Sequence, residues 1–342
     1  MYRPLVSVII PTYNQEQFIY ACIKSLLKQT YDNFEAIVVD DGSSDRTPEI
    51  VESFKDERIK LFRRSHHGIM KLGDTYNFAL SHCRGELVGI LEGDDLWPRE
   101  KLEVQVPAFQ RRDVVLSWGR GVFIDEMGHE LYCTPSAWRR WPKHAILNQP
   151  PGSSLRYFLI DGDFFFVPSS SIMVRKEALE KIGGFWQPEG LFWVDRPTWM
   201  RLALVGPFAY VDVVLGYWRI HRRQTTQQIS LNAAKTTAKC FLEFLSNEDK
   251  KRLGLISVER EVQSLAFLAR GRQLLLKGER SRAASFFLRC LIEGHSGCKV
   301  RGKAFAGLMF TLLPGWFVGR VLSFEGRIKA RRLATMLFRR KP

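Results

Sequence analysis

The chain has 342 residues, of which 45% are hydrophobic and 25% are charged, and its formal net charge at pH 7 is +15. Its length exceeds one average domain and its composition is that of a folded globular protein, which excludes an intrinsically disordered chain. The six cysteines are scattered and form no CxxC pair, which argues against a disulfide framework or a zinc site and is typical of a reducing compartment.

The positive charge is concentrated in the last third of the chain. From Arg222 onward there are 25 Lys/Arg against 8 Asp/Glu, a balance of +17, whereas the residues up to His221 have 26 against 28, a balance of −2. A basic segment of this kind indicates contact with nucleic acid or with an anionic membrane surface. The two acidic clusters, Asp40–Asp45 and Glu92–Asp95, lie in the earlier part, so we expect the two parts to have different partners.

Strand-like and helix-like segments alternate through the N-terminal part of the chain, joined by short loops. This alternation predicts an α/β fold with a parallel sheet and right-handed crossovers. No Gly-x-Gly-x-x-Gly follows the first strand and no P-loop lysine motif is present, which disfavours a dinucleotide oxidoreductase or a P-loop ATPase. The predicted strands are Leu5–Ile10, Ala36–Val39, Ile59–Phe62 and Leu87–Leu91, and the predicted helices are Ile19–Leu27, a segment from about Thr47, and Met70–Ser81.

Three acidic side chains, Glu92, Asp94 and Asp95, follow the apolar run Leu87–Leu91. Open parallel sheets place their ligand crevice at this carboxyl end of a strand. Carboxylates this close repel one another unless a cation neutralises them, and hard oxygen ligands favour Mg²⁺ or Mn²⁺. The alternative is an acidic loop that begins the next helix, with Asp95 as its N-cap and Pro98 near its first turn.

A second acidic cluster, Asp40–Asp45, lies past the end of another predicted strand and beside the segment Pro11–Asn14 that ends the first one. A carboxylate in that position can accept a hydrogen bond from a base imide or a ribose hydroxyl, which is the role we predict for Asp40. Ser44 and Asp45 are predicted instead to cap the helix that follows.

The segments Val6–Asn14, Val39–Asp45 and Glu92–Asp95 together resemble the three N-terminal signatures of glycosyltransferase family 2. The resemblance implies the GT-A fold, a Rossmann-like, mixed and mostly parallel sheet flanked by helices. It also implies inverting transfer from a nucleotide-diphosphate sugar, with Asp94 and Asp95 serving the Mn²⁺ or Mg²⁺ ion and the sugar diphosphate. The residues that would bind the nucleotide sugar are Pro11, Thr12, Tyr13, Asn14, Asp40, Asp41, Asp94, Arg219 and His221.

Two positions depart from the family pattern. The acidic motif usually begins with Asp and begins here with Glu92, which is one methylene longer. Where relatives commonly have Ala-Arg-Asn, this chain has Thr75–Asn77, so an arginine that would contact the donor phosphates is missing. Its function would pass to another basic side chain; the candidates are Lys71, Arg64 and His66.

The catalytic base is predicted at Asp195, where family members usually have Glu-Asp and this chain has Val194 and Asp195. Inverting transfer needs one general base to deprotonate the acceptor hydroxyl as it attacks the anomeric carbon. The alternative for Asp195 is an N-cap of the helix that follows. Arg219 and His221 alternate with apolar residues, so both face one side of a strand and would neutralise the leaving diphosphate.

The segment that contains Trp138 and Trp141 has two interpretations, since aromatic and cationic side chains suit either an acceptor platform or a lid. The C-terminal part is predicted to be helical, with Ser257–Lys277 and Ser281–Ile292 forming a hairpin. Ala304–Gly319 carries no charge and is followed by basic residues, a combination that favours a segment lying on anionic lipid over a nucleic-acid arm. A core helix is the alternative.

These observations predict three domains: a GT-A catalytic domain over 1–221, a helical extension over 222–298, and a basic amphipathic membrane-associating tail over 299–342. The protein would be a non-processive, metal-dependent glycosyltransferase of the bacterial cell-surface glycan type, because the processive Gln-x-x-Arg-Trp motif is absent. Its acceptor would be a glycan or a lipid-linked glycan, and its location the cytoplasmic, inner face of the cell membrane. The rival hypothesis is an inactive nucleotide-sugar-binding scaffold, favoured by Val194 and the missing arginine.

Overall fold

The computed structural model describes residues 2–160, 168–224, 233–292 and 298–312. The chain divides into two compact units. The first consists of Met1–Leu155 with Asp163–Ile229, and the second of Arg156–Gly162 with Ser230–Pro342. The short segment Arg156–Gly162 groups with the C-terminal helices, which the sequence did not predict.

The first unit is built on one eight-stranded sheet with the order β3-β2-β1-β4-β7-β5-β6, and β8 pairs with β5. The pairs β1–β2, β2–β3, β1–β4 and β5–β8 are parallel, whereas β7 runs antiparallel to β4 and β5. The predicted mixed, mostly parallel sheet is therefore confirmed. The strands are β1 (Val6–Thr12), β2 (Phe34–Asp40), β3 (Ile59–Arg63), β4 (Leu87–Ile90), β5 (Leu116–Ile124), β6 (Glu130–Cys133), β7 (Met173–Arg175) and β8 (Phe208–Arg219).

Helices pack against this sheet through apolar stripes. In α1 the side chains Ile19, Cys22, Ile23 and Leu26 are fully buried, because their spacing places them on one face of the helix. They join a core with β1, β2 and β4, whose central residues are also buried. The helices of this part are α1 (Ile19–Leu27), α2 (Thr47–Ser53), α3 (Leu72–His82), α4 (Lys101–Gln105), α5 (Lys143–Ile146), α6 (Leu155–Ile160, mostly in the second unit), α7 (Lys176–Lys181) and α8 (Asp195–Ala203).

Strand β5 is longer than the sequence indicates. Two glycines, Gly119 and Gly121, interrupt its apolar sequence, yet one strand runs from Leu116 to Ile124. A Cβ on Gly119 would lie 2.6 Å from the carbonyl oxygen of Val211, and a Cβ on Gly121 would lie 2.4 Å from Cδ of Pro168. The glycines thus allow close packing on the strand instead of ending it.

The second unit is helical, and its core surrounds Phe287. Helices α11 and α12 form the predicted hairpin, which turns at Gly278 with a φ of 80°. A Cβ on Gly271 or Gly307 would come within 2.6 Å of the Phe287 ring, so both glycines let α11 and α13 approach it. The helices are α9 (Ala233–Phe244), α10 (Asn247–Arg252), α11 (Ile256–Leu276), α12 (Arg280–Ile292) and α13 (Cys298–Phe310).

Most of the predicted membrane-associating tail, from residue 313 onward, lies outside the described residues. Within the described ranges, every helix is too short or too polar to cross a membrane.

Candidate functional site

The three N-terminal motifs meet at one edge of the sheet. Thr12, the last residue of β1, pairs with Asp40 at the end of β2. The backbone N–H of Asp41 donates to the carbonyl of Thr12 at 2.9 Å, and that of Gly93 donates to the carbonyl of Pro11 at 3.3 Å. The carboxyl ends of parallel strands therefore bring together the segments that the sequence assigned to nucleoside and diphosphate.

On the first side of this edge, Asp40 and Asn14 tie two loops together through Ser43 and Ser44. The buried Asp40 carboxylate accepts hydrogen bonds from the Ser43 hydroxyl and, at 3.1 Å, from the Ser43 backbone N–H. Asn14 has a φ of 51°, and its side-chain oxygen accepts the backbone N–H of Ser44 at 2.8 Å. Neither Ser44 nor Asp45 is the N-cap of α2, which is Arg46, although Asp45 accepts the backbone N–H of Thr47 at 3.0 Å.

Asp41 organises the loop that follows β3. Its carboxylate accepts the backbone N–H groups of His67 at 3.1 Å and Gly68 at 3.0 Å, and Nδ1 of His66 lies 3.0 Å from it. The His66 ring stacks on Tyr13 with centroids 4.1 Å apart, and both rings are partly exposed. His66, a candidate for contact with the donor phosphates, thus lies against Tyr13, a residue predicted to bind the nucleotide sugar.

In the acidic motif, Asp95 is buried and fully hydrogen-bonded. It accepts the Ser170 hydroxyl at 2.5 Å and the backbone N–H of Arg219 at 3.0 Å. Burial raises the pKa of Asp95 well above its usual range, and the charge of Asp94 adds to the shift. The alternative of a helix cap is wrong, because α4 begins only at Lys101 and Asp95 makes its contacts elsewhere.

Asp94 pairs with His221, whose Nε2 lies 2.9 Å from Oδ2 of the carboxylate. Arg219 contacts the same loop, because its Nε donates to the backbone carbonyl of Asp94 at 2.8 Å. Nη1 of Arg219 donates to the carbonyls of Asp125 at 3.1 Å and Glu126 at 2.8 Å. The Arg219 guanidinium is thus engaged with backbone carbonyls, whereas the His221 ring contacts the carboxylate of Asp94.

The Asp94 carboxylate is the kind of oxygen ligand that Mg²⁺ and Mn²⁺ prefer, whereas its 2.9 Å contact with Nε2 of His221 has the length of a hydrogen bond. Within the described ranges no three His, Cys, Asp or Glu side chains form a metal cage. A Mg²⁺ ion held here would take most of its ligands from water and substrate phosphates.

Glu92 does not point its carboxylate at the Asp94–His221 pair, because it accepts a hydrogen bond from the Tyr76 hydroxyl. Burial raises the pKa of Glu92 to about 8, against the hydrogen bond from Tyr76, and the charges of Asp94 and Asp195 add to the shift. Tyr76 stands where relatives commonly have the arginine of Ala-Arg-Asn. The neutral Tyr76 hydroxyl therefore donates a hydrogen bond to Glu92, a carboxyl group whose raised pKa makes it readily protonated.

Asp195 occupies the first turn of α8, after the N-cap residue Val194. Its Oδ2 accepts the Ser169 hydroxyl at 3.2 Å. Burial raises the pKa of Asp195, against the backbone N–H and the charge of Arg196. Ser169, which donates to Asp195, is followed directly by Ser170, which donates to Asp95, so the predicted base lies near the acidic motif. The sequence singled out neither Ser169 nor Tyr76 as a partner of these carboxylates.

The sequence is similar to those of known glycosyltransferases. Residues 7–183 match the family model "Glycosyl transferase family 2". An uncharacterized glycosyltransferase of Rickettsia typhi is 31% identical over 259 residues, covering 75% of this chain and 76% of that protein. The UDP-Glc:alpha-D-GlcNAc-diphosphoundecaprenol beta-1,3-glucosyltransferase WfgD of Escherichia coli is 40% identical over 121 residues, covering 35% of this chain and 47% of that protein.

Solved structures share the fold at low sequence identity. Mannosyltransferase PcManGT from Pyrobaculum calidifontis, in complex with GDP-Man and Mn²⁺, has a TM-score of 0.56 at 19% identity, covering 100% of this chain and 89% of that one. S. aureus TarS 1-349 in complex with UDP-GlcNAc has a TM-score of 0.53 at 19% identity, covering 89% of each chain. The chain therefore belongs to glycosyltransferase family 2, and its first unit has the GT-A fold of glycosyltransferases.

Proposed function

We propose that this glycosyltransferase moves one sugar from a nucleotide-diphosphate sugar to a hydroxyl of a glycan or lipid-linked acceptor, with inversion, in surface polysaccharide biosynthesis. The relative WfgD acts, by its name, on a diphosphoundecaprenol-linked sugar, which supports a lipid-linked acceptor. The relatives of solved structure bind GDP-Man or UDP-GlcNAc, which supports a nucleotide-sugar donor.

The observation that supports the proposal is that the adjacent residues Ser169 and Ser170 donate hydrogen bonds to Asp195 and to Asp95 of the acidic motif. The Asp195 carboxylate accepts the proton of the acceptor hydroxyl, whose oxygen attacks the anomeric carbon from the face opposite the nucleotide. The bond from that carbon to the diphosphate oxygen breaks, and the electron pair leaves with the nucleotide diphosphate. Because burial raises the pKa of Asp195, its carboxylate is a better proton acceptor than an exposed aspartate.

On the donor side, Asp94 and His221 are the residues that would hold a Mg²⁺ or Mn²⁺ ion, with Asp95 supporting the loop from within the protein. A divalent cation bound there would neutralise negative charge on the diphosphate. The partly exposed Tyr13–His66 stack offers a flat surface for a nucleobase, next to Asp40 and Asp41. We assign the nucleoside to that surface and the diphosphate to the Asp94–His221 pair.

Calorimetric titration with UDP, GDP and dTDP, with and without Mn²⁺, tests the donor site. We expect one of the three to bind with Mn²⁺, and we expect the Asp94→Ala variant to lose that binding. Turnover of Asp195→Asn tests the base, and a fall of about 10²- to 10⁴-fold is expected. The matched control is Asp113→Asn, because Asp113 forms only an exposed ion pair with Arg111 at 2.7 Å.

Two outcomes would contradict the proposal. A folded wild-type protein that binds none of the nucleotides would favour the inactive scaffold, for which Val194 and the absent arginine were the sequence arguments. Undiminished turnover of Asp195→Asn would remove the assigned base while leaving the transferase activity in place.

We also propose that the protein lies on the cytoplasmic, inner face of the cell membrane. The support within the described residues is α13, where Phe305 and Met309 are exposed apolar side chains four residues apart, followed by the exposed Leu312 just beyond the end of the helix. Arg301 and Lys303 are exposed beside it. Apolar side chains flanked by cations bind anionic lipid by burial in the interface together with charge attraction.

Sedimentation with vesicles tests this placement. We expect binding to vesicles that contain phosphatidylglycerol, weak binding to phosphatidylcholine alone, and release by salt. The double variant Phe305→Ser/Met309→Ser should lose most of the binding. Ile256→Ser, which removes an exposed apolar residue from α11, serves as the control. Equal recovery of both variants with the vesicles would contradict the assignment of α13.

A further inference from the structure

A single turn of three serines contacts Asp195, the proposed base, and Asp95 of the acidic motif. Ser169–Ser171 forms a 3₁₀ turn just before β7. The Ser169 hydroxyl donates to Asp195 at 3.2 Å, and the Ser170 hydroxyl donates to Asp95 at 2.5 Å. Neighbouring residues therefore hold the proposed base, which lies on α8, and the acidic motif, which follows β4.

The Ser170 hydroxyl has a defined donor and acceptor role. It donates to the Asp95 carboxylate and accepts the backbone N–H of Glu92 at 3.3 Å. The Ser170 carbonyl accepts the indole N–H of Trp97 at 2.7 Å, and the whole residue is buried. Ser170 thus contacts the acidic motif at its first residue, at its last residue, and just beyond it.

The turn is held in place from behind by a buried polar pair. Nε2 of Gln105 donates to the carbonyl of Ser171 at 3.1 Å, and Oε1 of Gln105 accepts Nζ of Lys101 at 2.5 Å. Both side chains are fully buried, and burial lowers the pKa of Lys101 well below its usual range. A buried amide that is hydrogen-bonded on both ends resists displacement, because any shift would leave polar atoms unpaired.

Two glycines make room for the turn on the sheet. Gly121 of β5 and Gly216 of β8 are register partners. A Cβ on Gly216 would lie 2.9 Å from the carbonyl carbon of Ser170, and a Cβ on Gly121 would lie 2.4 Å from Cδ of Pro168. Side chains at this pair of positions would push the turn away from the sheet, so the glycines fix its height above β5 and β8.

We propose that Ser169 and Ser170 are positioning residues that set the base and the donor-side carboxylates at a fixed separation. The inference rests on the proposed function, in which Asp195 deprotonates the acceptor and the acidic motif serves the donor. Ser169 acts through Asp195 and determines the chemical step. Ser170 acts through Asp95 and determines how tightly the donor nucleotide is bound.

Alanine variants of the three serines in the full chain separate these effects. For Ser169→Ala we expect kcat to fall roughly 10- to 100-fold with the dissociation constant of the Mn²⁺-nucleotide unchanged, as for a misplaced reacting group. For Ser170→Ala we expect that dissociation constant, measured by calorimetry with the best nucleotide of UDP, GDP and dTDP, to rise roughly 10-fold or more. Thr at either position retains the hydroxyl and should restore most of the loss.

Ser171→Ala is the matched control, because its buried hydroxyl makes no hydrogen bond within the described residues. Its removal should leave kcat, nucleotide affinity and melting temperature close to wild type. A second check is the acid limb of the rate profile. Loss of the Ser169 hydroxyl should move that limb to higher pH, since this hydrogen bond opposes the raised pKa of Asp195.

The charged and titratable groups that act on Asp195 are Arg196, Glu92 and Tyr76, and none of them changes in these variants. Ser169→Ala and Ser171→Ala with equal kcat would overturn the role of Ser169 even if Asp195→Asn abolished turnover. An unchanged nucleotide affinity in Ser170→Ala would overturn the role of Ser170. Full turnover of Asp195→Asn would overturn the base assignment and the role of Ser169 together, leaving the result for Ser170 to be judged by binding alone.

Discussion

Two pairs of adjacent aspartates follow parallel strands at the same edge of the sheet, and their surroundings differ. Asp40 accepts hydrogen bonds from Ser43 in its own loop, and Asp41 accepts the backbone N–H groups of residues 67 and 68 in the loop after β3. Asp94 and Asp95 contact residues far along the chain: Asp94 pairs with His221, and Asp95 with Ser170. The first pair shapes a loop, and the second assembles a charged site from distant segments.

The difference follows from the hydrogen-bond donors and charges that surround each pair of carboxylates. Backbone N–H groups and hydroxyls stabilise Asp40 and Asp41 without any further charge. Burial raises the pKa of Asp95, and the charge of Asp94 adds to the shift, so a cation beside this pair would offset their repulsion. We propose on this ground that the first pair serves the nucleoside and the second pair serves the diphosphate.

The largest effect is expected at Asp94. Asp94→Asn removes the charge next to His221 and weakens whatever cation and diphosphate bind there, so turnover should fall about 10³-fold. Steady-state kinetics with a nucleotide sugar would measure it, and Asp41→Asn is the companion variant. Equal losses of turnover in the two variants would show that the two pairs do not differ in the way we infer.

Metal removal should have the next largest effect, and it should affect only the ligand group beside Asp94 and Asp95. Treatment with EDTA is expected to weaken nucleotide affinity roughly 10- to 100-fold, because the diphosphate loses the charge that offsets Asp94 and Asp95. Calorimetry before and after addition of Mn²⁺ would measure the change. A nucleoside without phosphates, such as uridine, is the control ligand: its binding near Tyr13 should be insensitive to EDTA. Binding of uridine that requires metal would contradict the assignment of the cation to the Asp94–Asp95 pair alone.

The acid limb of the rate profile should report Asp195. Its folded-state pKa is raised by burial above the ordinary value of 3.8, and only its ionised form accepts a proton. Turnover is therefore retained above the raised pKa and falls about tenfold per pH unit below it. Rate measurements from pH 4 to pH 8 at saturating donor would locate the midpoint. A midpoint at or below 3.8 would be incompatible with a buried base.

The sequence predicts the parts of this site that depend on local pattern. The strands β1, β2 and β4, the apolar stripe of α1 and the hairpin of α11 and α12 all lie close to their predicted positions. Their signals are periodicity and strand-to-helix alternation, which a short segment of sequence carries in full. The motifs after each strand could be placed at one edge for the same reason, because parallel strands end together.

What the sequence does not predict depends on contacts between distant segments. Ser169–Ser171 forms a 3₁₀ turn although it runs directly into the apolar segment Ile172–Val174, and only Met173–Arg175 is extended. Its turn exists because the glycines of β5 and β8 leave room for it, and no local pattern reveals that pairing. The engagement of Arg219 with backbone carbonyls and the stacking of His66 on Tyr13 are of the same kind.

The smallest effect is expected at Asp41, where the comparison predicts a structural loss. Asp41→Asn places an amide N–H₂ among the N–H donors of His67 and Gly68, so one donor loses its acceptor at a cost of about 1–2 kcal/mol. Calorimetric melting should show a decrease of roughly 2–8 °C, with only a few-fold loss of nucleotide affinity through a looser His66.

Asp74→Asn is the control, because Asp74 is exposed and its ion pair with Lys71 is long, at 3.9 Å. Exposed pairs contribute little, so its melting temperature should change by about a degree or less. A stable Asp41→Asn protein that had lost nucleotide binding entirely would mean that Asp41 contacts the ligand directly. The two pairs would then differ only in the part of the nucleotide that they bind, and the loop after β3 would depend on the ligand for its shape.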